Sequence, residues 1–510
     1  MSTFPSEPKS YKFLRRQDIS PSLRLSLAVS VLFGAYHGQV TQLSGQYSVS
    51  RSFLYGLKDV LMQHLAGLFE GPAVQDFCAK SCRVQAWAKI LQLRLVGKCS
   101  LSSISQLLSL EELALPDSVC FISEFLTTLG NKLGKMVQWQ GQVVYASDEV
   151  YMIGHEPVLI TVDPLSSTIL RMERLKVLNK EAWNTHWGEL RLSGIEPVGL
   201  VKDEGVAMRA AHAESQSDVA VQTDTFHALS HRLGIFSIRL EKAVAKAFNH
   251  EWERQKVAQK AVSQKAKAQK NAHYQQACQA SLQAIEQYEG FQFLYHCLTQ
   301  QFNAFDHQGQ ARSREFAMGE AQCALEMMKQ LGIPQLDSEI QAIEKLLDHL
   351  FDFLPKASVI QFELEAQLGK VPAYFWIYAW QNDKKSRKTK NTDKSKALRH
   401  KTAHALELLQ EHYLLKPQEF EDLKRGIFRR LDTIIQSSAL VETINSLVRP
   451  YMNAARNQLS QPQLNLIRFY LNHRVYQRGK RKGFAPIELI SGQKLPGNWL
   501  QMLLEILPQN

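Results

Sequence analysis

The chain has 510 residues, of which 45% are hydrophobic and 21% charged, an ordinary balance for a globular protein. Lysine and arginine (60) outnumber aspartate and glutamate (49), and the resulting net charge of +11 favours polyanionic partners such as nucleic acid or the surface of an anionic membrane. The sequence has no run of about twenty apolar residues that would predict a transmembrane helix, and its N-terminal segment lacks the apolar core of a signal peptide. We therefore expect an intracellular protein with no membrane partner.

The seven cysteines are odd in number and scattered in spacing. This pattern does not predict a disulfide framework and is typical of a reducing compartment. Cys78 and Cys82 lie close together, but no second Cys or His pair follows at the spacing of a zinc site. We expect packed or surface thiols.

Residues 1–70 are predicted to form a helix-turn-helix region. "PSLRLSLAVSVLFGAYHG" has the apolar periodicity of one helix, and "QVTQLSGQYSVSRSFLYGLKDVLMQHL" predicts a short helix, a turn near Gly45 and a longer helix capped by Ser50. In a helix-turn-helix the second of these helices lies in the DNA major groove. A plain helical hairpin is the alternative. The candidate DNA contacts are Arg51, Ser52, Tyr55 and Lys58.

Residues 71–139 are predicted to form a second helical module. Its sequence contains two helical segments and a third helix for which Asp117 is placed as the N-terminal cap. Either a second DNA-binding module or a helical spacer accounts for this pattern.

Residues 140–245 change to short β-rich segments. "QVVYASD", "PVLITVD" and "TILRMERL" predict three strands, followed by a helix, a fourth strand in "PVGLVKD", another helix and a fifth strand in "VAVQTD". The order β-β-β-α-β-α-β predicts a mixed sheet with helices on its faces. The fold class is therefore multidomain α+β.

Residues 246–430 are predicted to be almost wholly helical. The stretch 251–291 is typical of one long helix or a coiled-coil arm. Residues 384–401 are densely basic and predict a solvated linker or a phosphate-binding loop. Residues 431–510 follow with one more core helix and a basic C-terminal tail.

Three acidic residues are candidates for a shared metal site. Asp148 ends "VVYASD" and Asp203 ends "VGLVKD", and the carboxyl ends of neighbouring parallel strands meet at one edge of a sheet. Two carboxylates there repel each other unless a cation lies between them, and Mg²⁺ binds a few carboxylate oxygens. Glu442, on a later helix, is the candidate third acid. Asp163 follows the second strand, at the opposite edge, and is a weaker rival.

Glu442 belongs to "SSALVETINSLVRPYMN", whose apolar residues recur at helical spacing. Asn445 and Arg449 follow at intervals of three and four positions, so all three side chains share one face of the helix. The ordinary explanation is a solvated face with a weak ion pair. The alternative is a helix that aims its acid at a metal and presents Asn445 and Arg449 to the DNA backbone.

These segments resemble DDE transposases and retroviral integrases, which share a ribonuclease H-like fold. In that family one Asp ends the first strand, a second Asp follows the fourth strand and a Glu lies on a later helix. "YASDEVYM", "LVKDEG" and "VETINSLVRP" are similar to these three contexts. The resemblance implies that Asp148, Asp203 and Glu442 are catalytic, that they hold two Mg²⁺ or Mn²⁺ ions, and that Arg449 contacts DNA.

The separation between Asp203 and Glu442 is larger than in compact integrases. Transposases of the hAT and Mutator-like groups carry a helical insertion there, and the resemblance implies that residues 246–430 are such an insertion. Those groups also have a Cys/Asp-x-x-His motif after strand five, which "VQTDTFH" matches with Asp224 and His227. These two residues either support the metal ligands or are only a helix cap and a packed histidine. The implied DNA contacts of the tail are Arg478, Lys480, Arg481 and Lys482.

The implied activity is metal-dependent cleavage and strand transfer at transposon ends. The resemblance implies a homodimer or larger assembly on double-stranded DNA, associated with DNA inside the cell (the cytoplasm or nucleoid of a bacterium). Two other classes stay open. One is a domesticated DNA-binding protein without activity, and the other is a helical scaffold whose acids are incidental.

Overall fold

The computed structural model describes residues 16, 18–34, 38–68, 84–110, 117–152, 156–203, 205–225, 227–456 and 458–507. The chain divides into two compact units, Met1–Ile90 with Gln106–Asp117, and Leu91–Ser105 with Ser118–Asn510. Within the described ranges, no helix is both long and apolar enough to cross a lipid bilayer. Cys78 and Cys82 lie outside these ranges, so the prediction about their thiols stays a prediction.

The first unit contains the predicted trio of N-terminal helices. They are α1 (Pro21–Leu32), α2 (Gln39–Gln46) and α3 (Arg51–Leu68). Their apolar faces meet around Leu27, Leu54 and Leu57, which are buried. The hydroxyl oxygen of Ser50 accepts a hydrogen bond from the backbone N–H of Phe53 at 3.1 Å, so Ser50 caps α3 as predicted.

Three further helices precede the sheet. They are α4 (84–91, continued by a π-helical turn at Gln92–Val96), α5 (Leu101–Ser109) and α6 (Val119–Gly134). The predicted cap of α6 is wrong by one residue, because Ser118 and not Asp117 accepts the hydrogen bond from the N–H of Phe121, at 3.2 Å. Both side chains can cap a helix, and the sequence pattern does not separate neighbours of this kind.

A five-stranded mixed sheet forms the centre of the second unit. Its strands are β1 (Gly141–Tyr151), β2 (Pro157–Val162), β3 (Ile169–Arg174), β4 (Ile195–Lys202) and β5 (Val221–Thr223), with α7 (Lys180–Leu192) before β4 and α8 (Val206–Ser215) before β5. The spatial order is β3-β2-β1-β4-β5. β1 is antiparallel to β2 and parallel to β4, β2 is antiparallel to β3, and β4 is parallel to β5. The predicted element order and the mixed sheet are confirmed.

β1 is longer than predicted. The strand continues beyond Asp148 to Tyr151, which pairs with Pro157 of β2. The prediction that Asp148 ends the strand is therefore wrong, because pairing with β2 extends the ladder past the point where β4 stops. Ala146 of β1 pairs with Val201 of β4. Two residues further along both strands, Asp148 therefore lies beside Asp203, which directly follows the end of β4.

The two faces of the sheet are covered by different helices. Trp183 and Trp187 of α7 pack in a buried cluster with Tyr145 of β1 and Met208 of α8. The helices α18 (Ala439–Ala454) and α19 (Gln461–His473) also pack against strands, α18 against β1 and β2, and α19 against β3 and α6. Since side chains alternate along a strand, Tyr145 faces α7 and Asp148 faces α18.

Between β5 and α18 the chain forms a helical region with its own buried core. Its helices are α9 (Gly234–Gln259), α10 (Gln264–Gln301), α11 (Arg314–Lys329), α12 (Leu336–Glu344), α13 (Leu347–Leu350), α14 (Leu354–Leu368), α15 (Lys370–Lys388), α16 (Thr392–Tyr413) and α17 (Pro417–Asp432). The chain closes with α20 (Pro486–Ser491) and α21 (Trp499–Glu505).

Of the two alternatives predicted for 251–291, the one long helix is wrong. The segment contains the end of α9, a short connection and most of α10, whose N-terminus is capped by Ser263. The two helices pack side by side, and the contacts of Cys278 with Glu251 and of Gln292 with Ser237 show that they are antiparallel. A serine cap offers the backbone a helix start that periodicity alone does not reveal.

The basic segment 384–401 is neither a linker nor a loop. α15 ends at Lys388 and α16 begins at Thr392. The side chain of Asn391 accepts hydrogen bonds from the N–H groups of Asp393 (3.0 Å) and Lys394 (2.9 Å). This cap turns the segment into the tip of a helical hairpin, which charge density alone did not predict.

Gly130 determines how closely α6 approaches α19. A Cβ atom at this position would lie 2.1 Å from the carbonyl oxygen of Pro462. Gly130→Ala therefore forces the two helices apart, and we expect a loss of about 1–3 kcal/mol of stability. Thermal unfolding followed by circular dichroism measures this effect as a lower midpoint.

Gly188 provides the matched control, because it also lies in a helix, α7, and has no atom within 4 Å of its added Cβ. Gly188→Ala is expected to stabilise the protein by about 0.5–1 kcal/mol. A Gly130→Ala midpoint equal to or above that of the wild type would contradict the close-approach argument.

Candidate metal centre

Asp148, His227 and Glu442 come together from three parts of the chain. Asp148 lies on β1, His227 on the π-helical turn His227–His231 after β5, and Glu442 on the first turn of α18. One ligand atom from each lies within 4.8 Å of the others. The Nε2 of His227 is 3.7 Å from Oε1 of Glu442. These three side chains, the metal-centre triad, can hold one divalent cation.

The carboxylate of Asp148 is the most buried member of the triad. Its residue is only 7% exposed. It accepts hydrogen bonds from Nδ2 of Asn445 at 3.0 Å and from the N–H of Glu149 at 2.9 Å. Burial raises the pKa of Asp148, the charges of Glu442 and Asp203 raise it further, and it reaches about 7. The site concentrates negative charge that a cation would neutralise.

Asp203 flanks the metal-centre triad and is not one of its members. It follows the last residue of β4 and accepts a hydrogen bond from the N–H of Gly205 at 2.9 Å. Its charge raises the pKa of Asp148, so the two carboxylates are close enough to interact. The structure thus brings Asp148 and Glu442 together, with Asp203 beside them at the rim.

Glu149 was missed by the sequence analysis. Burial raises its pKa, the charges of Asp203 and Asp148 raise it further, and it reaches about 7 although a hydrogen bond with Tyr151 opposes the shift. Strand alternation directs Glu149 to the sheet face opposite Asp148. The adjacent acids in "SDEVY" were the available signal.

His227 has a different place from the one predicted. The sequence predicts either a supporting position or a packed histidine, whereas the structure places the imidazole within the metal-centre triad. The ring of His231 stacks on it, with ring centroids 4.9 Å apart. Imidazole nitrogen is an additional ligand type, which suits Mn²⁺ and other transition ions.

Asp224 joins the two segments that carry His227 and Glu442. Its Oδ1 accepts a hydrogen bond from the N–H of His227 at 3.0 Å. Its Oδ2 accepts one from the N–H of Ser438 at 2.7 Å and another from the Ser438 hydroxyl. Since Ser438 is the N-cap residue of α18, this single buried carboxylate positions both the histidine turn and the glutamate helix. Asp224 caps the histidine turn, and its predicted role in supporting metal ligands stays a prediction.

Asn445 does not contact DNA, contrary to prediction. The residue is 0% exposed, and it lies in the buried stripe of α18 with Val441, Ile444 and Val448. The helix is rotated so that Asn445 faces Asp148 on the sheet and Arg449 faces outward. Among the described residues, the Oδ1 of Asn445 has no hydrogen-bond partner, so an acceptor remains beside the metal-centre triad for an ion or its water.

Arg449 is accessible, as its predicted contact with DNA requires. Its side chain is 55% exposed, and one guanidinium nitrogen lies 3.9 Å from Oε2 of Glu442. An exposed pair at that distance contributes little to stability. The guanidinium can therefore exchange Glu442 for a phosphate that approaches the metal-centre triad.

The remaining candidate DNA contacts divide by accessibility. The exposed residues are Arg51, Ser52, Tyr55, Arg478, Lys480 and Lys482. Lys58 is half-buried and 3.9 Å from Asp59. Lys480 forms an ion pair with Asp432.

Arg481, in the segment between α19 and α20, contacts the turn that follows β2. Its guanidinium donates hydrogen bonds to the carbonyl oxygens of Pro164 (3.1 Å) and Leu165 (3.0 Å). The carboxylate of Asp163 accepts hydrogen bonds from the N–H and the hydroxyl of Ser166 in the same turn. Asp163 is thus a turn residue at the opposite edge of the sheet. Nε and one terminal nitrogen of Arg481 are engaged in this turn, and its predicted contact with DNA stays a prediction.

The donor set fits a hard or borderline divalent cation. The two carboxylates suit Mg²⁺ or Mn²⁺, whereas the imidazole suits a transition ion better than Mg²⁺. The unneutralised charge around Asp148 and the open acceptor of Asn445 are the observations that support this fit. A second ion, as predicted from the family resemblance, would require Asp203 in addition to the triad.

No protein-family model matches the chain, and no curated protein is significantly similar to it. A function therefore has to be inferred from the fold and from the residues of the site.

Loss of either triad carboxylate should weaken metal binding. We expect Asp148→Asn and Glu442→Gln each to lower Mn²⁺ affinity by at least about tenfold, since even residues that only orient a ligand change affinity by that factor. Electron paramagnetic resonance of free Mn²⁺ measures the affinity. Glu181→Gln, at an exposed position of α7, is the control. Equal Mn²⁺ binding by all three variants would exclude a metal centre here.

Metal affinity should depend on pH in a defined direction. The raised pKa of Asp148, about 7, means that a proton competes with the cation below pH 7 and that affinity rises from pH 6 to pH 8. Asn445→Ala removes a donor to the charged carboxylate, so it should move the profile to higher pH. Calorimetric titration with Mn²⁺ across this range measures both effects. A flat profile in the wild type would contradict the argument.

Proposed function

We propose that the chain is a DDE-type transposase that cleaves and joins phosphodiesters in double-stranded DNA with divalent cations. The observation that carries this proposal is the convergence of Asp148 and Glu442, from distant parts of the chain, into one group with His227. Asp148 is on the first strand, Asp203 follows the fourth, and Glu442 is on a later helix that packs against the first two strands. A ribonuclease H-like core would have this arrangement.

The proposed chemistry divides between the ions and the chain. When bound, two divalent ions would activate a water or a DNA 3′-hydroxyl and stabilise the leaving oxygen. Asp148, Glu442 and Asp203 supply carboxylate oxygens for them. Asn445 holds the Asp148 carboxylate in place from the buried side. Arg449, at the exposed side, binds the incoming phosphate with two parallel hydrogen bonds.

The helical region between β5 and α18 is compatible with an insertion into a ribonuclease H-like core. Its two ends meet, because the N–H and the hydroxyl of Thr225, just after β5, both donate to the carbonyl oxygen of Gln436, just before α18, at 3.1 and 2.9 Å. The region also buries a core of its own. A long insertion between Asp203 and Glu442 is thus compatible with one compact metal site.

A basic surface supports a DNA partner. Exposed cations cover the tip of the α15–α16 hairpin. Lys384 lies with its Nζ 4.6 Å from the ring centroid of Trp380, and Trp380 donates to Asp432, the partner of Lys480. Burial and the nearby charges of Lys388 and Lys480 lower the pKa of Lys384 to about 8. Phosphate groups would relieve this crowding of like charges. A dimer or larger assembly on DNA belongs to the same proposal.

The proposed activity requires all three acids. Asp148→Asn, Asp203→Asn and Glu442→Gln should each reduce Mg²⁺- or Mn²⁺-dependent DNA cleavage to background, while duplex binding changes by less than about twofold, because binding depends mainly on phosphate contacts with basic residues. The assay uses supercoiled plasmid and labelled duplexes from the DNA that flanks the gene.

Glu181→Gln is again the control and should cut like the wild type. Binding without cleavage by the wild type would favour the alternative, a DNA-binding protein derived from a transposase. Neither binding nor cleavage would favour a helical scaffold. Normal cleavage by Glu442→Gln would remove Glu442 from the site.

Arg449 should act on substrate placement and not on metal binding. Arg449→Ala is expected to raise the KM for duplex DNA and to lower strand transfer, and Arg449→Lys should restore only part of the loss because an ammonium lacks the two-pronged guanidinium contact. Mn²⁺ affinity measured in parallel should stay unchanged. A loss of Mn²⁺ affinity in Arg449→Ala would instead assign the residue to the structure of the metal centre.

A further inference from the structure

The end of the α9–α10 hairpin is strongly basic. Residues 254–285 contain no aspartate or glutamate. The first half of this stretch, 254–270, is defined here as the basic tip. Its cationic residues are Arg254, Lys256, Lys260, Lys265, Lys267 and Lys270. All are exposed except Lys270, which is half-buried.

The hairpin geometry concentrates these charges in a small volume. α9 ends at Gln259 and α10 begins at Gln264, so the basic tip consists of the last turns of one helix, the connection and the first turns of the other. The antiparallel pairing of the two helices places the six side chains at one end of the hairpin. A single solvated helix face would distribute them over a greater length.

The basic tip lies at a limited distance from the metal-centre triad. α9 starts shortly after the π-helical turn that carries His227 and contains 26 residues. At 1.5 Å per residue, the helix is about 39 Å long. The tip is therefore about 40 Å or less from the beginning of α9, measured along a straight helix.

The positive charge of the basic tip indicates which kind of molecule it binds. Trp252 and Val262 are exposed by 56% and 92%, and Lys256 lies with its Nζ 4.8 Å from the ring centroid of Trp252. Contact between these apolar side chains on two copies of the chain is unfavourable, because the six positive charges of one basic tip repel the six of the other. A dense array of negative charge, such as the phosphates of nucleic acid, is complementary to this surface.

We propose that the basic tip binds the phosphate backbone of duplex DNA on one side of the metal centre. The inference rests on the proposed function, because that function makes duplex DNA the substrate. Each base pair advances about 3.4 Å, so the length of α9, about 39 Å, corresponds to about 12 base pairs of duplex. The contact extends the footprint and contributes affinity for any sequence.

A tip variant tests the proposal. It replaces Arg254, Lys256, Lys260, Lys265, Lys267 and Lys270 by glutamine, which preserves helix propensity. The control variant replaces six exposed lysines elsewhere by glutamine, and therefore loses the same charge: Lys135, Lys176, Lys242, Lys246, Lys345 and Lys370. Equal thermal midpoints of the two variants establish that both are folded.

Binding is measured in the Glu442→Gln background with a random-sequence DNA duplex of 40 base pairs, so the result does not depend on cleavage. The tip variant should bind at least about tenfold more weakly than the control near 150 mM salt. Its plot of log affinity against log salt should be less steep, by about 0.9 for each lost phosphate contact. Its hydroxyl-radical footprint should shorten at one end.

Equal affinities, salt slopes and footprints for the tip and control variants would overturn the proposal. Stronger competition by duplex RNA than by duplex DNA would also overturn it, because the tip would then serve a different nucleic acid. If the wild type cuts no DNA but the tip variant still loses affinity and footprint, the tip proposal stands and the proposed catalytic function fails.

Discussion

The candidate site depends on one buried carboxylate that joins two distant segments. Asp224 is 1% exposed and accepts hydrogen bonds from the N–H of His227 and from both donors of Ser438. Burying a carboxylate without hydrogen-bond donors costs free energy. Separation of the two segments would remove the donors of Asp224, so this carboxylate holds the segments together. Through this contact, a helical region of about two hundred residues returns to the sheet at the place where Glu442 faces Asp148.

Electrostatics divides the second unit into an acidic centre and basic projections. At the centre, burial and the charges of Glu442 and Asp203 raise the pKa of Asp148. Away from it, lysines and arginines crowd the tips of the α9–α10 and α15–α16 hairpins. The proposed function calls for both features, since a polyanionic substrate must be attracted and its reacting phosphate neutralised.

Two of the predictions that failed share a physical cause. The break between α9 and α10 and the turn between α15 and α16 both occur where a polar side chain caps a new helix, Ser263 in one case and Asn391 in the other. Capping is a local competition for backbone hydrogen bonds that apolar periodicity does not record. The strand end predicted at Asp148 failed for a different reason, because β2 supplies pairing partners that β4 does not.

The sequence by itself determined the five strands, their order with α7 and α8, and the amphipathic helix that carries Glu442, because apolar periodicity follows directly from which face is buried. It also indicated Asp148, Asp203 and Glu442 as acids beside that sheet. Only the tertiary structure decided that Asn445 faces inward to Asp148, that Arg449 faces outward, and that His227 lies with the acids. Helix rotation depends on the partner surface, and residues that converge from separate segments have no common period in the sequence.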